Sequence, residues 1–345
     1  MMRTIIIGFG FMGQTHASNI FKTQGLELSA IVSRTSPADH LQSSEKNVHT
    51  GLMDGKRISR IPHFDDLARC LEEIKPDAAI ICLPTFLHYA ATKLCLEQGC
   101  HVLLEKPICL DVEQAEEMMS LAKYKQRTFM VAHCVRFLPE YEMLKNTISD
   151  NRLGKLKMLK MSRISGEPSW GSWQEKQVKA SYGGALFDLL IHDIDFLNCA
   201  LGQPEKIWNP PPLAEAFNTG YINSVWEYPA SGIVAIVEGG NCFPAQRPFE
   251  CGYSGIFENG AIIYSSFEPG KVKTITADDV TIEDLSGEKA GYLKELEYFI
   301  ECAMAGQYPE KCPPEDAVAA VRLCFRHLEN QTLKDEKQIR KAYAI

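Results

Sequence analysis

The 345-residue chain has no CxxC pair, no excess of positive charge, and neither an internal repeat nor a low-complexity tract. Its twelve cysteines, at positions 70, 82, 95, 100, 109, 134, 199, 242, 251, 302, 312 and 324, are scattered. They are too sparse for a disulfide scaffold. Several fall in apolar segments where a free thiol behaves as a small hydrophobe, so a reduced, cytoplasmic protein is expected. Long apolar runs are also missing: AAIICL stops at Pro84, far short of the ~20 residues that cross a bilayer. The opening MMRTIIIGFG has an apolar run of only three isoleucines, which is not the pattern of a secretory signal. A net charge of −8 argues against nucleic acid or an anionic membrane as the main partner.

The length exceeds what one core supports, so two domains are expected. Up to residue 133, short apolar runs alternate with helical segments, the pattern of a doubly wound parallel α/β sheet. Strands are expected at Thr4–Ile7, Leu28–Val32, Ala78–Leu83, His101–Leu104 and Thr128–Ala132, with helices near 12–22, 65–74, 87–98 and 111–125. The polar segment Ser36–Arg60 reads as a long connection. Residues 134–345 read as an α+β domain: a helix near 139–149, a strand in GKLKMLKMSRI, and mainly strands from 222 to 284 forming a large, open, mostly antiparallel sheet. Within it, Asn259-Gly260 suits a tight hairpin. Two helices close the chain, one stopped by Gly306 and one opened by Pro314.

Three stretches carry chemistry. In TIIIGFGFMGQTH, Gly8, Gly10 and Gly13 form GxGxxG between a strand and a helix. Gly8 permits the turn, Gly10 lets backbone approach a pyrophosphate, Gly13 allows close helix packing, and the helix N-terminus, with Phe11 and Met12 in its first turn, favours the anion. Dinucleotide binding follows. The second strand ends in AIVSRT, with Ser33 and Arg34 where an acid normally holds the ribose of NAD. Arg34 can pair with a 2′-phosphate and Ser33 can donate a hydrogen bond to it, which favours NADP over NAD; the other reading of Arg34 is a solvated loop cation.

In HVLLEKPICL, Glu105, Lys106 and Pro107 stand at the carboxyl edge of the sheet, where such folds bind ligands. Pro107 holds Lys106 extended, and a lysine aimed into a cleft beside an acid can orient a substrate hydroxyl or tune a base. Alone, such a lysine is more often solvated. The third stretch, GGALFDLLIHDIDFL (183–197), reads as a buried helix that nonetheless carries Asp188, His192, Asp193 and Asp195. Asp188 and His192 are four apart and share a face, with Asp195 a turn further along in the same polar stripe. Charged groups there are costly unless paired or facing a wet cleft.

Together, GFGFMGxxH, EKP and GGxxxDxxxHDID resemble, in this order, the glucose-fructose oxidoreductase / inositol dehydrogenase / MocA family of NAD(P)-dependent oxidoreductases. LPTFLHY and AHCVRFLPEY extend the resemblance over most of the chain. The resemblance implies an N-terminal Rossmann domain (1–133) and a substrate-binding, oligomerising domain (134–345). It implies that Lys106, Asp188 and His192 surround the reacting carbon. It also places Leu83, Pro84, Thr85 and His88 at the cofactor, with Glu105 near the nicotinamide ribose. The expected reaction moves a hydride between the nicotinamide and a secondary alcohol or ketone of a sugar, polyol or cyclitol, in a homodimer or homotetramer. His192 suits proton exchange near neutrality, Asp188 can orient it or bind a neighbouring hydroxyl, and Lys106 can stabilise alkoxide charge.

Other readings stand beside these. Asp188 and His192 can be a structural pair. A metal bound by His192 with Asp193 or Asp195 lacks further ligands in the pattern. Asp195 is expected to pair with a cation, and Arg136 either binds substrate or forms a salt bridge. Trp170 and Trp173 either wall a sugar site or pack over the sheet. The same scaffold can host redox-assisted glycoside cleavage or a non-catalytic nucleotide-sensing regulator, which retention of lysine, aspartate and histidine together argues against.

Overall fold

The structure is a computed structural model that describes residues 1–38, 55–167, 184–209 and 220–329. It divides into two compact units: Met1–Cys134 with Tyr292–Val318, and Val135–Gly291 with the chain from Ala319 onward.

The first unit holds a six-stranded parallel sheet of β1 (Met2–Ile7), β2 (Leu26–Val32), β3 (His63–Phe64), β4 (Ala78–Ile81), β5 (His101–Glu105) and β6 (Phe129–Ala132), in the order β3-β2-β1-β4-β5-β6. Strands β4 and β6 are apolar throughout rather than alternating, and Ile5, Ile6, Ile80, Ile81, Leu103 and Leu104 are wholly buried, as expected where helices cover both faces. Helices α1 (Phe11–Ile20), α2 (Gly55–Ile58), α3 (Leu67–Ile74), α4 (His88–Glu97) and α5 (Val112–Lys125) connect them. Asp66 and Asp111 cap α3 and α5 through their carboxylates, accepting from Arg69 N and from the Glu113 and Gln114 amides. Strand order reverses between β1 and β4, which opens the crevice where doubly wound sheets bind ligands. The five expected strands all form. The two-residue β3, too short to carry a period, was not anticipated, and α2 lies inside the stretch read as a connection.

The second unit is built on an eight-stranded sheet: β7 (Leu156–Gly166), β8 (Lys206–Trp208), β9 (Tyr221–Tyr228), β10 (Ile233–Phe243), β11 (Glu250–Phe257), β12 (Gly260–Ser265), β13 (Lys271–Thr276) and β14 (Val280–Asp284). Its order is β14-β13-β12-β11-β7-β10-β9-β8, antiparallel except for the β7–β10 pair. The β11–β12 turn differs from the expected one. Glu258 and Asn259 form it, and Gly260 opens β12 because a Cβ there would sit 2.4 Å from Ile275 O.

Helices α6 (Pro139–Asp150) and α7 (Ile191–Leu201) also belong to the second unit. Of the closing helices, α8 (Gly291–Ala305) ends before Gly306, whose φ is +61°, and α9 (Pro314–Glu329) opens on its proline. The division between units falls within α9, and the return of Tyr292–Val318 to the first unit is marked by no local signal. Trp170 and Trp173 lie outside the described residues. Among the described residues no helix is long and apolar enough to cross a membrane.

Candidate active site

The glycine turn of the first unit is shaped by three different constraints. Gly8 has φ +91°, and a Cβ there would lie 2.5 Å from Cys82 O; at Gly13 it would lie 2.1 Å from Gly8 O. Gly10 is the opposite case, exposed and with nothing within 4 Å of its Cβ position. Gly10 is the N-cap of α1, which receives no side-chain cap and has no acid in its first turn. Helix amides and the positive end of the dipole therefore face open space beside a residue without a side chain, which fits the pyrophosphate of a dinucleotide. Phe11 and Met12 are half-buried in that first turn.

Ser33 and Arg34, at the end of β2, behave differently from each other. The Ser33 hydroxyl is buried and donates to Thr35 O at 2.7 Å, with His63 Nε2 at 3.2 Å. Donation from Ser33 to a 2′-phosphate is thus corrected: the local turn takes that proton. Arg34 is exposed. Beyond β4, Leu83 and Pro84 are half-buried, whereas Thr85 is buried at the start of a 3₁₀ turn. The ring of His88 is 1% exposed, with Nδ1 2.8 Å from Pro107 O and Nε2 2.8 Å from Leu83 O. Burial lowers its pKa, against the opposing pull of those carbonyls and of Glu105. A neutral ring has one N–H to donate, so His88 bonds one carbonyl and abuts the other. His88 thus braces loops rather than presenting its ring. Phe86, 65% exposed in the same turn, was not singled out from the sequence.

Glu105 ends β5 and is buried. Its Oε1 accepts from His16 Nε2 at 3.0 Å and its Oε2 from the Lys106 amide at 3.3 Å. Lys106 follows in a bend, half-exposed, and its bond to Pro107 is cis. Burial and the carboxylates of Glu105 and Glu295 push the neighbouring Cys82 thiol well up, which keeps it protonated and unreactive.

In the second unit, residues 183–197 are not one regular helix. Leu186–Leu190 form a π-turn, and α7 begins at Ile191. Such turns replace i→i+4 with i→i+5 bonding and are frequent at functional sites. The sheet makes room: a Cβ at Gly239 of β10 would lie 2.9 Å from Leu190 Cδ2 and 1.9 Å from Arg163 O. Gly184, Asp188, Leu189 and His192 are half-exposed, while Leu186, Phe187, Leu190 and Ile191 are buried. Asp188 and His192 therefore share the accessible side. Asp195 leaves that stripe and pairs with a cation, as expected of it. It is fully buried and receives Arg136 Nε at 2.7 Å and a second guanidinium nitrogen at 2.6 Å. Asp193, also fully buried, receives Arg163 Nε at 2.7 Å and a second nitrogen at 3.1 Å. Burial raises the Asp193 pKa and Arg163 pulls it back, while the paired Arg163 stays protonated. Arg136 is thus an ion-pair partner, and Arg163 was not anticipated, since nothing local marks an arginine inside a strand as the mate of a distant aspartate. Among the described residues no group of three or more His, Cys, Asp or Glu is placed to hold a metal.

Comparison with known families accounts for the ordered motifs. The oxidoreductase family GFO_IDH_MocA, with a NAD-binding Rossmann fold, matches residues 2–133, and the GFO/IDH/MocA C-terminal domain matches residues 141–209. The chain belongs to this family. A D-glucoside 3-dehydrogenase of Escherichia coli (strain K12) is 31% identical over 207 residues, 59% of this chain and 55% of that protein. The scyllo-inositol 2-dehydrogenase (NADP(+)) IolW of Bacillus subtilis (strain 168) is 30% identical over 186 residues, 52% of this chain and 51% of that protein. The chain thus spans about half the length of these curated relatives. Among solved structures, the UDP-N-acetylglucosamine 3-dehydrogenase GnnA of Acidithiobacillus ferrooxidans superposes with a TM-score of 0.75 at 18% identity, covering 96% of this chain and 97% of that one. That likeness is one of fold.

Proposed function

We propose that the chain is an NAD(P)-dependent dehydrogenase or reductase that moves a hydride between the nicotinamide and a secondary alcohol or ketone of a sugar, polyol or cyclitol. The observation that carries the proposal is the pairing of an open, uncapped glycine turn with Lys106 at the carboxyl edge of the same sheet, in a chain of this oxidoreductase family. The substrate class rests on the relatives named for a D-glucoside and for scyllo-inositol. When bound, the nicotinamide supplies the hydride acceptor or donor. His192 exchanges the hydroxyl proton, Asp188 orients the imidazole or holds a neighbouring hydroxyl, and Lys106 stabilises developing alkoxide charge. Leu83, Pro84, Thr85, Glu105 and the Gly8–Gly13 turn border the cofactor. The preferred cofactor is NADP, supported by exposed Arg34 and the missing acid at the end of β2.

A homodimer or homotetramer covers the outer face of the eight-stranded sheet, supported by exposed Val234 and Ile256 on adjoining parts of it. The twelve free thiols support a reducing, cytoplasmic setting. The test is a panel of sugars, polyols and cyclitols with both cofactors, following nicotinamide absorbance. Lys106→Ala and His192→Ala should each lower kcat by roughly 10²–10⁴-fold, the range for lost acid–base or charge-stabilising groups, with cofactor affinity retained. Loss of binding with normal turnover would reverse the assignment.

A further inference from the structure

Two buried histidines have no part in the chemistry just described, and both are bonded to the segment that carries Lys106. His16 lies on α1, fully buried, and its Nε2 is 3.0 Å from Glu105 Oε1. A carboxylate only accepts, so Nε2 carries the proton; Nδ1 has no hydrogen-bond partner. His88 opens α4 and lies against the carbonyls of Leu83 and Pro107, each at 2.8 Å. The residues held, Glu105 and Pro107, flank Lys106 directly, and the Lys106 amide closes onto Glu105 Oε2 at 3.3 Å. One imidazole comes from the helix that begins at the glycine turn, and the other from the helix that follows Leu83 and Pro84.

We propose that His16 and His88 are positioning residues that pin the Glu105–Lys106–Pro107 segment on both sides of the lysine and tie it to the two turns at the strand-order reversal. The proposal rests on the reading of Lys106 as catalytic. Without these bonds the β5 strand still forms, because its apolar residues pack regardless, but the chain beyond it loses its fixed course. An interaction with a buried carboxylate is the stronger kind of hydrogen bond, so His16 is the more informative probe.

The experiment compares His16→Leu, which removes the donor, with His16→Gln, whose amide nitrogen reaches the Nε2 position. His16→Leu is expected to lower kcat about tenfold or more, the size of a lost hydrogen bond to a charged group, with the NADP(H) dissociation constant unchanged and His16→Gln near wild type. A second readout needs neither substrate nor cofactor: the NMR resonance of ¹³C-methylated Lys106, assigned by its loss in Lys106→Arg. It should shift in His16→Leu and stay in place in His16→Gln. His16→Asn, too short to reach Glu105, substitutes where His16→Leu does not fold. Equal losses in the Gln and Leu variants, or a wild-type kcat and an unshifted resonance in His16→Leu, would overturn the proposal. A shifted resonance in an enzyme that turns over nothing on the panel would sink the functional reading and leave the positioning role standing.

Discussion

In the first unit, the segment bearing Lys106 is held by two buried imidazoles, one at the Glu105 carboxylate and one lying against the Pro107 and Leu83 carbonyls. In the second, the helix bearing Asp188 and His192 is fixed by two buried arginine–carboxylate pairs, Arg136–Asp195 and Arg163–Asp193. Both devices hold a polar side chain at the edge of an apolar scaffold, but they fail differently. Loss of an imidazole donor leaves an unsatisfied acceptor, whereas loss of one partner of an arginine–carboxylate pair leaves an uncompensated buried charge. The first unit can therefore be loosened with the fold intact; the second cannot.

The largest expected effect breaks that contrast directly. Asp195→Asn removes the carboxylate charge paired with Arg136 and should destabilise the second unit by about 3–5 kcal/mol, measured by urea unfolding, while His16→Leu, which removes the donor in the first unit, shifts the midpoint far less. Equal shifts would erase the distinction.

A third imidazole sharpens it. His327 is fully buried in the second unit, where Nδ1 donates to Leu323 O at 2.8 Å and Nε2 accepts from Trp226 Nε1 at 3.1 Å and Ser224 Oγ at 3.0 Å. With one nitrogen committed to accepting, the ring must stay neutral, and burial lowers its pKa to about 4 from the ordinary 6.5. The unfolded chain takes up this proton near 6.5 and the folded chain only near 4. Stability is therefore full above 6.5 and falls with acidification through that window, by up to about 3 kcal/mol. His327→Gln should flatten the slope of unfolding free energy against pH between those values; an unchanged slope would assign the acid sensitivity elsewhere.

Smaller effects belong to the cofactor turn. Gly10→Ala adds a methyl group to open space, so thermal stability should hold, while cofactor affinity falls by roughly 1–3 kcal/mol because the methyl group occupies the pyrophosphate's approach. Gly13→Ala, 2.1 Å from Gly8 O, should lose both. Smallest is Arg34→Ala, expected to weaken NADP about tenfold, at the lower end for a hydrogen bond to a charged group, and to leave NAD unchanged. Equal losses for both cofactors would make Arg34 a general surface cation.

The glycine turn and the strand–helix alternation were legible because each depends on residues close in the chain: a positive φ, a tight approach, a fully apolar strand. The DxxxH spacing likewise survived, since four residues along a helix or π-turn return to the same side. The cation expected at Asp195 proved to be Arg136, 59 residues away, a partner that no local pattern could name. Ser33 failed for a nearer reason: its hydroxyl turned to a carbonyl two residues on, as serine commonly does in turns.

By itself, the sequence determined the two architectures and the order of the motifs that carries the family resemblance, because periodicity and turn chemistry are short-range properties and motif order is read directly along the chain. Tertiary structure decided which polar residues are tools and which are fasteners. His88, Asp193 and Asp195 look on paper like members of a site, yet their atoms are consumed by partners that only folding brings within hydrogen-bond reach, and a polar group whose bonds are already made inside the protein has nothing left to offer a substrate.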